Sequence, residues 1–193
     1  MMADMTQRES LPATTRGQWL LLLGVAALTI LADQVSKAYV VAHLRRGASW
    51  MPLSAIEPVF RFTHTRNTGA AFGMFPQGGM VFLIIAVVVS AFIVYYYRQI
   101  PAGAWLLRLA LGLQLGGALG NVIDRIQRGY VVDFFDVSFW PVFNVADSCI
   151  VIGVALLALQ MLREEYRARQ PGHGTDKRND TPRDSSEERA SFG

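Results

Sequence analysis

Residues Gly117 to Ser148 read GALGNVIDRIQRGYVVDFFDVSFWPVFNVADS. The stretch opens inside a glycine-rich apolar run and passes through a β-rich segment, GYVVDFFDV at Gly129 to Val137. It re-enters an apolar run at Val145. A membrane span, a short excursion of strand character and a second span follow one another. The excursion and both adjoining span ends therefore lie on one side of a bilayer. Four acids fall in this stretch, Asp124, Asp133, Asp136 and Asp147.

Working outward, the 193 residues are 52% hydrophobic and 17% charged, and mean hydropathy is +0.28. Residues 163 to 193 hold seven basic and seven acidic residues, which leaves 11 basic and eight acidic side chains in the first 162 positions. So sparse a charge excludes an ordinary soluble domain. It also excludes a nucleic-acid binder, which needs basic side chains gathered on an exposed face. A pI near 9.3 suits a protein facing anionic lipid. One cysteine, Cys149, cannot form an internal disulfide, and His43, His64 and His173 have no zinc-site spacing. A metal-dependent reaction is not expected.

Four runs are long and apolar enough to span: Gln18 to Leu44, Gly79 to Tyr97, Leu106 to Ile126 and Val145 to Leu162. Asp4 and Glu9 in the leader, and the lack of a small-x-small site before Asp33, argue against a cleavable signal in the first run. Tyr95, Tyr96 and Tyr97 followed by Arg98 form an aromatic belt and interfacial cation at the end of the second. The expected division is a cytoplasmic leader over 1–17, a membrane domain over 18–162, and a polar, disordered cytoplasmic tail over 163–193. Lys and Arg near the span ends favour both termini in the cytoplasm. The loops 45–78 and 127–144 then face outward, with Arg45 and Arg46 among them. In the first of these loops, VFRFTHTR at Val59 to Arg66 alternates as a half-buried strand does, with Phe60 and Phe62 on one face and Arg61 and Thr63 on the other. Gly69 to Phe75 (GAAFGMF) has the character of a short interfacial helix. The fold class is thus membrane all-α: a four-transmembrane-helix bundle with a small extracytoplasmic β-sheet and a short interfacial helix.

Ionisable residues at membrane depth cost about 2.5 to 3.5 kcal/mol each, so each needs a reason. Asp33 and Lys37 are four apart on one helical face, and a self-neutralising interfacial pair accounts for them as well as a site does. Gly112, Gly116 and Gly120 make a small-residue stripe for close helix approach. It ends in Asn121, Asp124 and Arg125, where a structural Asp–Arg pair is the plain alternative to a polar site. Asp133 in VVDFF and Asp147 in FNVADS come from separate elements at the same end of the bundle. Two carboxylates in a poorly solvated site share a proton, and such a pair can activate water as aspartic proteases do. Separate capping and helix-pairing roles would also explain them. No HExxH or GxSxG is present, Ser36, Ser90 and Ser148 lack a histidine partner, and Cys149 fits a small buried side chain.

Five segments in order carry a family likeness: DQVSK at Asp33 to Lys37, NTGAAFG at Asn67 to Gly73, GNVIDR at Gly120 to Arg125, VVDF at Val131 to Phe134 and FNVADS at Phe143 to Ser148. With four spans in a chain of this length, the sequence resembles the bacterial lipoprotein signal peptidases (signal peptidase II). The resemblance implies an intramembrane aspartyl endopeptidase with no metal or organic cofactor. Its substrates would be diacylglyceryl-modified prolipoproteins, cleaved immediately before the lipidated cysteine. It would act as a monomer among phospholipids of the bacterial cytoplasmic (inner) membrane, with the site near the outer leaflet. Asp133 and Asp147 take the catalytic positions by the same resemblance, and Asp124 does not. Asp33, Lys37, Asn67, Gly69, Asn121, Asp124, Arg125 and Asn144 would brace the site or hold the substrate, with the segment around Gly69 closing over the peptide. The competing classes are a proton-coupled carrier, which favours mid-span acids and internal repeats, and a non-enzymatic assembly factor that binds another helix through the glycine stripe.

Overall fold

The structure, a computed structural model, describes residues 15–69, 78–101 and 103–169. In chain order the elements are α1 (Arg16–His43), β1 (Ser49–Trp50), β2 (Phe60–Asn67), α2 (Gly79–Tyr96) with a 3-10 turn at Tyr97–Gln99, α3 (Trp105–Arg128), β3 (Val131–Val137) and α4 (Val145–Arg169). The interfacial helix expected at Gly69 to Phe75 falls, apart from Gly69, outside the described residues, as does the tail from residue 170.

All four helices are long and apolar enough to cross a membrane. Their roles differ. The apolar window of α3 is 56% buried within the protein, against 11% for α2 and for α4, so α3 is the central helix. Its glycines explain why. A Cβ on Gly112 would lie 2.8 Å from Val25 Cβ, one on Gly116 2.7 Å from Ala26 O, and one on Gly120 2.7 Å from Asp33 Oδ2. The stripe is therefore consumed against α1 within the chain, not left free for a foreign helix. On the α4 side, Gly117 meets Ala146 O, and a Cβ on Gly153 would come within 2.7 Å of Ala110 O. Leu20, Leu28, Leu31, Ile84, Val88, Val151 and Ile152 point outward and exposed from the flanking helices, as lipid-facing side chains do.

Two expectations change, the first of them at the end of α2. Tyr95 and Tyr96 are exposed, but Tyr97 is fully buried, its ring 4.9 Å from Trp19 and its hydroxyl donating to Gln18 O. The Arg108 guanidinium lies 4.8 Å over the same ring and donates to Ile100 O at 2.6 Å. The belt thus supplies one of its three rings as a rivet between α1, α2 and α3, because a tyrosine can bury its body while its hydroxyl finds a carbonyl. At the other end of the chain, α4 continues through Arg169, past the apolar run that ends at Leu162. The i,i+4 pairs Gln160–Glu164 and Glu165–Arg169 support those last turns.

Beyond the C-terminal ends of α1 and α3 the chain forms one antiparallel sheet in the order β1-β2-β3. The alternation of VFRF holds. Phe60 and Phe62 meet edge to face at 5.2 Å, while Arg61 Nε and Thr63 Oγ1 on the other face both donate to Asp136 Oδ2 at 2.7 Å. The register then shifts between Phe62↔Phe135 and Thr65↔Asp133, so that Thr63 and His64 oppose Phe134 alone. This bulge reverses the parity of β2. Thr65 and Asn67 thereby share a face with Asp133. Gly129, at φ 76°, ends α3 in the left-handed conformation and turns the chain into β3.

Candidate active site

The polar side chains of the five segments meet where α1, α3, β3 and α4 converge. Lys37 Nζ lies 2.8 Å from Asp33 Oδ2, 3.0 Å from Asp124 Oδ2 and 3.0 Å from Asn121 Oδ1. All three ammonium donors are thus matched. Asp33, Lys37 and Asp124 are each 0% exposed, so the interfacial pair open to solvent that spacing alone allowed is replaced by a buried hub. The second oxygen of each acid is also engaged. Asp33 Oδ1 accepts from Ala146 N at 3.0 Å, in the first turn of α4. Asp124 Oδ2 accepts from Val132 N at 3.0 Å, next to Asp133, and Asp124 Oδ1 accepts from Arg128. The arginine partner of Asp124 is therefore Arg128, one turn on, and not the adjacent Arg125. Gln34 Nε2 donates to Asp33 Oδ2 at 3.1 Å and to Gly120 O at 3.2 Å. Gln34 and Arg128 were not singled out from sequence. The i,i+4 spacing of Asp124 and Arg128 is a signal that could have found the second.

Three asparagines hold the two remaining acids, two of them, Asn121 and Asn144, joined to this hub, and each amide is oriented by a partner of unambiguous polarity. Asn121 Oδ1 accepts from Lys37, so its Nδ2 donates, to Asp147 Oδ1 at 2.8 Å. Asn144 Oδ1 accepts from Asp147 N at 2.9 Å, so its Nδ2 donates, to Asp133 Oδ1 at 2.6 Å. Asn67 Oδ1 accepts from Gly69 N at 3.0 Å, so its Nδ2 donates, to Asp133 Oδ2 at 2.9 Å. The Asn144 backbone N in turn donates to Asp147 Oδ2 at 3.3 Å. Asn144 and Asp147 are thus the N-cap and third residue of α4, locked as a reciprocal capping box. The same turn that starts α4 sets both carboxylates.

Asp133 is 2% exposed, whereas Asp147 is partly open. Burial pushes the Asp133 carboxyl from 3.8 up to about 7, and the negative charge of Asp147 adds to the rise. The Asn67 and Asn144 donors and the charge of Lys37 oppose it. Arg125 lies beside the pair. Its guanidinium is 5.9 Å over the Phe82 ring, Nη1 donates to Asn121 O at 3.4 Å, and Nε is buried with no partner among the described residues. Asp33 and Asp124 are balanced by Lys37 and Arg128, and Arg125 lies within electrostatic reach of Asp147 and Asp133. No group of three or more potential metal ligands occurs among the described residues.

Every polar residue singled out from the five segments therefore falls in this one cluster, and fold and site together define a multi-pass membrane protein built around two carboxylates, one buried and one partly open. Comparison with known proteins agrees. The family model described as signal peptidase (SPase) II matches residues 25–163. Proteins named lipoprotein signal peptidase from Halothermothrix orenii and Moorella thermoacetica are each 45% identical to this chain, over 73% and 72% of it and 94% and 90% of their own lengths. One from Bacillus velezensis is 41% identical over 76% of this chain and 96% of its own. Two solved structures described as bacterial membrane enzymes superpose with TM-scores of 0.71 and 0.67 at 28% and 31% identity, covering 84% and 80% of this chain and 98% and 99% of theirs. The chain belongs to the signal peptidase II family.

Proposed function

We propose that this chain is an intramembrane aspartyl endopeptidase that removes the signal peptide from diacylglyceryl-modified prolipoproteins, cutting immediately before the lipidated cysteine, with Asp133 and Asp147 as its catalytic pair. The observation that carries the reading is the Asn144 side chain. It donates to Asp133 and accepts from the Asp147 backbone, which couples two acids from different elements in a site where burial and mutual repulsion favour one shared proton. In the reaction one carboxylate takes a proton from water as the oxygen attacks the scissile carbonyl, and the protonated partner donates to the carbonyl oxygen. Collapse of the tetrahedral intermediate breaks the C–N bond, and the cysteine nitrogen leaves with the proton that came from water. No metal or organic cofactor enters.

Asp33, Lys37, Asn121, Asp124 and Asn144 position the pair. Asn67, Gly69 and Arg125 would hold the peptide backbone of the substrate. A substrate whose cysteine bears diacylglycerol must present it at a membrane surface. The site is accordingly placed near the outer leaflet of the bacterial inner membrane, with both termini cytoplasmic and the monomer active. The acids cluster at helix ends and the glycine stripe is used within the chain, so neither the carrier nor the assembly-factor reading gains support.

The test is cleavage of a lipidated prolipoprotein by purified protein in detergent. Asp133→Asn and Asp147→Asn should each abolish turnover while the protein stays folded, and full turnover by both variants overturns the assignment.

A further inference from the structure

Across α1 from the polar cluster, the outer half of the helix and the sheet enclose a groove of about 640 Å³ that none of the site residues lines. Its walls are Val35, Tyr39 and His43 of α1 together with Trp50, Phe62 and Phe134 of the three strands, a volume and lining typical of ligand pockets. It reaches from Ala32 to Leu44, which at 1.5 Å per helical residue is about 18 Å, the reach of an extended acyl chain. At its outer end stand Arg45 and Arg46, directly after Leu44. Both are exposed, and neither forms an ion pair among the described residues. Gly47 N donates to His64 O and Ala48 N to Arg45 O, each at 2.9 Å, so the turn that carries the two arginines, directly beyond the lining residue Leu44, is tied to β2. Aromatic Tyr39 and Trp50 mark the same level as a membrane interface.

We infer that the groove is a binding site for one anionic phospholipid of the surrounding leaflet, with an acyl chain along α1 and the phosphate on Arg45 and Arg46. Charge complementarity selects this occupant. A diacylglyceryl group on a substrate cysteine is uncharged and leaves two adjacent guanidinium groups without a counter-charge, whereas a phosphate supplies one in the geometry arginine favours. The arrangement also accounts for two arginines on the outward loop, where the positive-inside rule disfavours them.

Native mass spectrometry of the detergent-purified protein with phosphatidylglycerol or phosphatidylcholine of matched chains tests this without reference to peptidase activity. Phosphatidylglycerol should be retained as a single molecule with a preference of at least about tenfold. Arg45→Gln/Arg46→Gln should bring the two lipids to parity. Val35→Trp, and independently Ala32→Phe, both at exposed groove-lining positions, should abolish retention with helical content unchanged. Equal retention of both lipids by the wild type, a preference that survives the double glutamine variant, or retention that survives both filling variants overturns the site. Displacement of phosphatidylglycerol by an uncharged diacylglyceryl-cysteine peptide would also overturn it, assigning the groove to substrate chains instead.

Discussion

Asn67 and Lys37 show how single side chains set the chemistry of the pair. Asp133 holds its proton up to about pH 7 in the folded protein against an ordinary 3.8, so the stability this group contributes is full below about pH 4 and is lost as pH rises through about 7. Turnover that needs one proton on the pair should therefore fall on the alkaline side near pH 7. Asn67 donates to the carboxylate and favours its ionised form. Asn67→Leu should accordingly move the alkaline limb of kcat/KM upward, and a limb that stays or moves down in a profile from about pH 5 to about 9 would show that Asn67 does not act on Asp133. Lys37→Met leaves Asp33 buried without a cation and Asp124 with Arg128 alone. Removing one member of such a buried network costs about 3–5 kcal/mol, to be read from unfolding in detergent followed by tryptophan fluorescence. The membership of the site was legible in the sequence at this scale; the wiring was not. Asp133 and Asp147 stood out as acids in apolar runs, but that two amides, Asn121 and Asn144, would relay between them and the Lys37 hub depends on contacts between residues as far apart as Lys37 and Asn121.

Helix α3 and strand β2 carry the element-scale lessons. The glycine stripe announced close packing, and the neighbour turns out to be α1, with Gly120 lying directly against the Asp33 carboxylate. Gly120→Ala would put a methyl group 2.7 Å from Asp33 Oδ2, forcing apart the two helices that hold Lys37. We expect loss of most cleavage activity with helical circular dichroism retained, while Gly24→Ala, which meets nothing within 4 Å, stays at wild-type activity. Equal activity of the two variants would show that α1–α3 spacing does not govern the site. In β2 the alternation VFRF was readable because period 2 is a local property. The bulge at Thr63 and His64 was not, since two residues facing one is defined only by the partner strand. Without that bulge Asn67 would fall on the face opposite Asp133.

For the molecule as a whole, orientation is the property that loop charges address and that labelling can decide. With both termini cytoplasmic, Ala48→Cys in a Cys149→Ser background should react with an impermeant maleimide added to intact cells, and Ala168→Cys only after lysis; the reverse pattern inverts the topology. Local sequence determined a good deal of this protein. Apolar runs of sufficient length set four helices able to cross a membrane, alternation set the strands, and scarcity of charge before residue 163 made almost every acid in an apolar segment a candidate for the site. Those are short-range properties, fixed by helical and strand periods and by the cost of placing charge in lipid. What only the tertiary structure decided is which partner each acid has: Asp33 with the first turn of α4, 113 residues away, Asp124 with Arg128 and Lys37, and Asp133 with Asn67 across a bulge. Hydrogen bonds are directional and short, so these choices rest on how closely glycine lets α1 and α4 approach α3, a distance that no single segment specifies.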